Sequence, residues 1–338
     1  MAKRVQQQKK YRPDYAAFCN EEHLKYTTWY GKTYEAAMTI SGSPDIECDL
    51  THIHLPLPEE EEAVAATMFN LKREDVEGFN DWLWERVKRH VQNVRKLNQA
   101  ETPGVIQIFK ADVEKDDDDK TRDIYIFTPR YTPYHDTIKD NEISLVNVIG
   151  LGIRLGNIMR DVAAQDMAHG NICMDALFVD AEGKVVLGDF MYGDSVSEPK
   201  DENPYLYVLP PHVSEAAIVS GTRSPKEDVY ACCSLLWNII GEIPADERTP
   251  YRITPKKAPT EIVNDLRECM SLDNEDAIPT FRKRVSDMMR SQKYANSAIA
   301  FYVSSYRPRY TTEKVEPATA TEEDLFHAID ELHRRADT

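Results

Sequence analysis

The side chains able to do chemistry fall in a few places. Asp189 follows a short apolar run, Val185-Val186-Leu187-Gly188, and precedes Phe190, so a carboxylate stands at the end of an expected strand. Upstream, His169-Gly170-Asn171 sets an imidazole and an amide just ahead of the same β segment. One carboxylate is a poor anchor for Mg²⁺ unless phosphate oxygens complete the shell. Gly31-Lys32-Thr33 is half of a phosphate-binding loop, but Tyr26 stands where the first glycine belongs and a strand is expected to follow. His52 and His54 alternate on one side of an extended segment, as the start of a metal site would. No third ligand with suitable spacing is evident, so they are expected to be ordinary strand or loop histidines and no metal is expected. No G-x-S-x-G and no Cys/His nucleophile arrangement occurs. The acidic runs Glu59–Glu62 and Asp116–Asp119 lie between apolar segments and read as solvated loops.

The elements that must position these groups follow from composition and periodicity. The chain has 338 residues, 41% of them hydrophobic, enough for a sizeable core. Its formal net charge of −17 argues against a nucleic-acid partner, whose phosphates need cations. Only 13 residues are glycine, and phosphate-cradling loops are built from glycine. The longest apolar run, Val229–Ile240, has 12 residues, short of the roughly 18 that span a bilayer, and reads as a buried helix. The basic start MAKRVQQQKKYR has no apolar core of a signal peptide, and the six cysteines form no CxxC pair. A reduced, cytoplasmic protein is expected.

Two strands are expected between Leu24 and Ile40 around a turn at Gly31, and a third over Val64–Phe69. A long helix follows over about 76–97, with Leu83, Val87, Val91, Val94 and Leu97 on one face. Val105–Phe109 and Ile124–Phe127 read as strands joined by the Asp116–Asp119 loop. Helices are expected over 143–168, 228–240, 261–270 and 277–290, with a β segment at Ala176–Asp189 turning at Asp180–Gly183. Residues 307–320 read as a linker, and Thr321–Arg335 as an amphipathic helix with Leu325, Phe326 and Ile329 available for contact.

This α+β order resembles the protein-kinase fold, and named residues carry the likeness. Tyr30-Gly31-Lys32-Thr33 looks like the end of a glycine loop, and Val64-Ala65-Ala66-Thr67 like the V-A-I-K strand. His169–Ala176 stands where a kinase has H-R-D-L-x-x-x-N, Asp189-Phe190-Met191 matches D-F-G, and Pro210-Pro211-His212 matches A-P-E. The resemblance implies two lobes: a basic arm over 1–20, a small β-rich lobe with one long helix over 21–128, a larger helical lobe over 129–306, and a tail over 307–338.

The same alignment strips out the catalytic groups, and phosphoryl transfer depends on positioning and charge neutralisation by them. The first two loop glycines become Tyr26 and Thr28, leaving Gly31. The strand lysine becomes Thr67, and its glutamate partner falls near His90, with Glu85 as the alternative register. Asn171 replaces the base, Ala176 the second metal ligand and Met191 the D-F-G glycine, while Asp189 remains. His212 and Ile278 replace the A-P-E glutamate and its buried arginine together. The family resemblance therefore implies a pseudokinase, and Asn171–Gly193 with the Tyr125–Thr128 hinge is most similar to the Scy-like pseudokinases. It implies no phosphotransferase activity, no cofactor, and a role as a protein-interaction scaffold or allosteric regulator. Tyr205 and Tyr207 are candidate modification or interface residues, and residues 192–213 and the 76–97 helix candidate contact surfaces. The alternative is an atypical kinase or nucleotide-sensing domain working through Asp189, with Gly31 and Ala65 as residual nucleotide contacts.

Overall fold

Thr28 and Gly31 close a tight turn between two extended segments. The Thr28 N–H donates to Gly31 O at 2.7 Å, and the Gly31 N–H donates back to Thr28 Oγ1 at 3.0 Å. Glycine is needed there, because a Cβ would stand 2.6 Å from the His52 carbonyl of a neighbouring strand. The computed structural model describes residues 15–28, 30–38, 46–55, 76–138, 142–195, 212, 214, 217, 224–243, 254–272 and 276–303. Within them, β1 (Leu24–Thr27) and β2 (Lys32–Met38) form the hairpin expected around Gly31. With β3 (Ile46–His54), β4 (Lys110–Lys115) and β5 (Thr121–Thr128) they build an antiparallel sheet ordered β1-β2-β3-β5-β4.

One strand expectation changes, and another falls outside the described residues. The Val64–Phe69 segment lies outside the described residues, and the place between β2 and β5 is held on both edges by β3. Val105–Phe109 does not join the sheet. Gly104, at φ +77°, turns the chain so that Ile106 N–H donates to Leu187 O, and Asn98 bonds Ile106 and Ile108 through its amide. Val105 and Ile106 are buried in the core of the helical half, whereas Phe109 is exposed. The strand that pairs with β5 begins only at Lys110.

The long helix α1 (Val76–Gln99) covers one face of the sheet. Leu83, Val87, Val91, Val94 and Leu97 are buried as the period requires, each worth about 1.5–3 kcal/mol of transfer free energy. The upper part of this stripe packs on Ile53, Ile124 and Ile126, whereas Val94 and Leu97 join the larger core of the helical half. On the opposite face of the sheet, Tyr15 meets Tyr125 and Phe127 in a smaller apolar cluster.

The helical half contains α2 (Tyr134–Ile138), α3 (Leu145–Ala163), α4 (Pro225–Gly241), α5 (Thr260–Met270), α6 (Ala277–Arg290) and α7 (Gln292–Ala295). Helix α4 contains the 12-residue apolar run and is buried along nearly its whole length, with Ser224 capping it through the Glu227 N–H. Short strands complete this half. β6 (Thr132–Pro133) pairs with β9 (Leu177–Val179), which pairs with β10 (Val185–Leu187); β7 (Glu142–Ser144) pairs with β12 (Ala300–Tyr302); β8 (Met167–Ala168) pairs with β11 (Asp194–Ser195). No helix among the described residues is long and apolar enough to cross a membrane.

Candidate functional site

The groups singled out in the sequence converge where α1, the β10 end and the start of α4 meet. Asp189 directly follows Gly188 after β10 and sits at φ +54°, a left-handed backbone that a non-glycine residue adopts at a cost. Its buried carboxylate accepts a hydrogen bond from Asn171 Nδ2 at 2.6 Å. The expected base position is thus an amide that donates to the carboxylate.

His169 is a fully enclosed hinge between elements. Its Nε2–H donates to Gly188 O at 2.6 Å and its Nδ1 accepts the Asn171 N–H at 3.1 Å, which together set the tautomer. Its ring meets Phe190 edge-on, with centroids 4.5 Å apart. Asp228, at the start of α4, accepts the backbone N–H of His169 at 2.7 Å and of Gly170 at 2.8 Å. Sequence reading placed Asp228 only at the start of a helix. The signal available was an acid at the end of a charged first turn, directly before the apolar run Val229–Ile240.

Helix α1 grips the segment after Asp189 from the other side. His90 Nδ1 accepts the Phe190 N–H at 3.0 Å, and Asn93 Nδ2 donates to Phe190 O and Gly193 O. One turn before His90, Arg86 lies between the rings of Trp82 and Tyr192, 5.5 Å from each centroid. Arg86, His90 and Asn93 recur at four- and three-residue spacing, which is why one helix face reaches the whole segment. Burial, followed by the nearby His169, pushes His90 down to about 4; burial pushes His169 down to about 4 as well. Both rings are neutral at pH 7.

The side of β3 facing α1 presents Asp49, Thr51 and Ile53. Asp49 is fully buried, accepts from Lys25 Nζ at 2.8 Å and from the Tyr131 N–H at 2.9 Å, and burial still raises its pKa against those bonds. Thr51 bonds Thr33 through the hydroxyls, and Ile53 is sealed against α1 and Met191. None of the three offers a cation. Tyr30 packs on the same apolar cluster, and its hydroxyl is held well above the ordinary phenol value by burial and then by the Asp189 charge. Nearby, Tyr26 and Tyr131 both approach the Phe178 ring, so aromatic rings fill the junction between β1 and β9.

The remaining expected positions separate. Ala176 and Met191 are buried apolar residues with no side-chain donor, and Gly31 serves the hairpin turn. His212 is buried and hydrogen-bonds Ser234 of α4 at 3.0 Å; Ile278 is buried on α6. Glu85 is exposed and pairs with Lys88, away from the junction. Ala65, Thr67, Tyr205, Tyr207, Leu325, Phe326 and Ile329 lie outside the described residues. Residue 123 supplies the third ligand type that the sequence reading did not find for His52 and His54, on the sheet face away from α1. No family model and no curated protein matches this chain.

Proposed function

We propose that the chain is a pseudokinase, a two-lobed kinase-like protein that performs no phosphoryl transfer and works as a protein-interaction scaffold or allosteric partner. The observation that carries this reading is the Asp189–Asn171 pair, a carboxylate tied to an amide where transfer needs a carboxylate base and a cation. The sheet order, with α1 over one face and the apolar α4 at the centre of the helical half, supports the kinase-like part. Neither Thr67, the expected lysine position, nor the α1-facing residues Asp49, Thr51 and Ile53 of β3 supply the cation that transfer needs. The packing of Tyr26 and Tyr131 on Phe178 supports the reading that no nucleotide is bound between them. A dead catalytic centre with a firmly held Phe190–Gly193 segment suits a protein that presents a fixed surface.

The test is thermal unfolding of the full chain with ATP, with and without Mg²⁺ or Mn²⁺. A ligand at 100 times its Kd adds about 2.7 kcal/mol, which is easily seen. No shift is expected. A metal-dependent shift, with phosphoryl transfer lost in Asp189→Ala, would overturn this reading in favour of a nucleotide-using domain. For the scaffold role, proteins recovered with the wild-type chain from its native host should also be recovered with Asp189→Ala.

A further inference from the structure

Strand register brings together two histidines and an aspartate from distant parts of the chain. His52 and His54 project from the same side of β3, with the fully buried Ile53 on the other. In the β3–β5 ladder, His54 stands opposite Asp123 and His52 opposite Tyr125. His52 Nε2 lies 2.7 Å and His54 Nδ1 2.8 Å from one oxygen, Asp123 Oδ1. The three donor atoms all fall within 4.8 Å of one another. The His52 ring is stacked flat on Tyr125, centroids 4.8 Å apart, so its nitrogen is aimed and not merely nearby.

We propose that His52, His54 and Asp123 form a binding site for a divalent transition metal of the zinc type. Two imidazoles and one carboxylate suit zinc and its neighbours, whereas Mg²⁺ and Ca²⁺ prefer oxygen shells. Three protein ligands leave the fourth tetrahedral position open to water or another ligand. Ligands around a tetrahedral ion with bonds of 2.0–2.1 Å stand about 3.3 Å apart, so each histidine must move about half an ångström from Asp123 Oδ1. His54 is half exposed, at 51%, and can swing outward to make that room, while stacked His52 and Asp123 at 24% stay in place. A bound ion would tie β3 to β5 on the face away from the Asp189 junction. The site stands independently of the pseudokinase reading.

Calorimetric titration of the chelator-stripped full chain with ZnCl₂ tests this. One equivalent is expected to bind, and to raise the unfolding temperature. His54→Ala and Asp123→Asn should each weaken binding at least tenfold, since even outer-shell partners of metal ligands are worth about 10–100-fold. Both variants alter partly exposed groups, and their unfolding in chelator and far-UV circular dichroism should match the wild type, separating lost ligation from lost fold. Zinc affinity unchanged in the His54→Ala, Asp123→Asn double variant, or no uptake by the wild type, would overturn the proposal.

Discussion

His90 and His169 make the stability of this protein depend on pH in a way that one substitution can isolate. Each ring is buried, neutral and held near pKa 4, against an ordinary value of 6.5. The unfolded chain therefore binds more protons than the folded one between about pH 6.5 and 4, and stability falls as pH is lowered through that window. The gap from 6.5 to about 4 caps each contribution at roughly 3 kcal/mol. Between pH 7 and pH 5, before most carboxylates titrate, about 2 kcal/mol per histidine is realised. Replacing His90 by Gln keeps an acceptor for the Phe190 N–H and removes one titrating ring. Urea denaturation followed by far-UV circular dichroism at pH 7 and pH 5 gives the comparison. The wild type should lose about 2 kcal/mol more than His90→Gln over that interval. Equal losses in the two proteins, within a few tenths of a kcal/mol, would refute the claim that His90 is buried and neutral against Phe190.

The other predictions concern single contacts. Asp228→Ala leaves the His169 and Gly170 amides without their acceptor, and should cost about 3 kcal/mol or more, because bonds to charged groups are worth about 1.5–3 kcal/mol each. Asp228→Asn, which retains one acceptor oxygen, should cost less in the same denaturation experiment, and equal costs would remove the two-bond account. Gly104→Ala places a Cβ 2.6 Å from Ile158 Cγ1 at a φ of +77°. It should lower stability by about 2–4 kcal/mol from backbone strain and overpacking combined, and a neutral result would mean that the turn before Val105 relaxes freely.

The helices were legible because their signal is local and repeated. The α1 stripe from Leu83 to Leu97 and the α4 run needed only a 3.6-residue period and an apolar face to be recognised. The Asp116–Asp119 loop was legible for a similar reason. Asp116 closes the β4–β5 hairpin by accepting from Asp118 and Lys120, a bond pattern that short polar residues favour in any context. Strands were harder. Val105–Phe109 has a strand's composition, but only Val105 and Ile106 are buried, where the chain crosses beside Leu187, and Ile46–His54 carries too many polar residues to announce a central strand.

The sequence by itself determined the α+β class, the long helices, and the side-chain chemistry present at Asn171, Ala176, Asp189 and Met191. Substituted residue types are visible wherever they fold. Tertiary structure alone decided which partners those groups have. It brought Asn171 to Asp189, His90 to Phe190, Asp228 to His169, and Asp123 to His52 and His54. These pairs are separated along the chain by whole elements. Ladder register and helix packing set them, and a one-residue slip of β3 against β5 would turn both histidines to the opposite face.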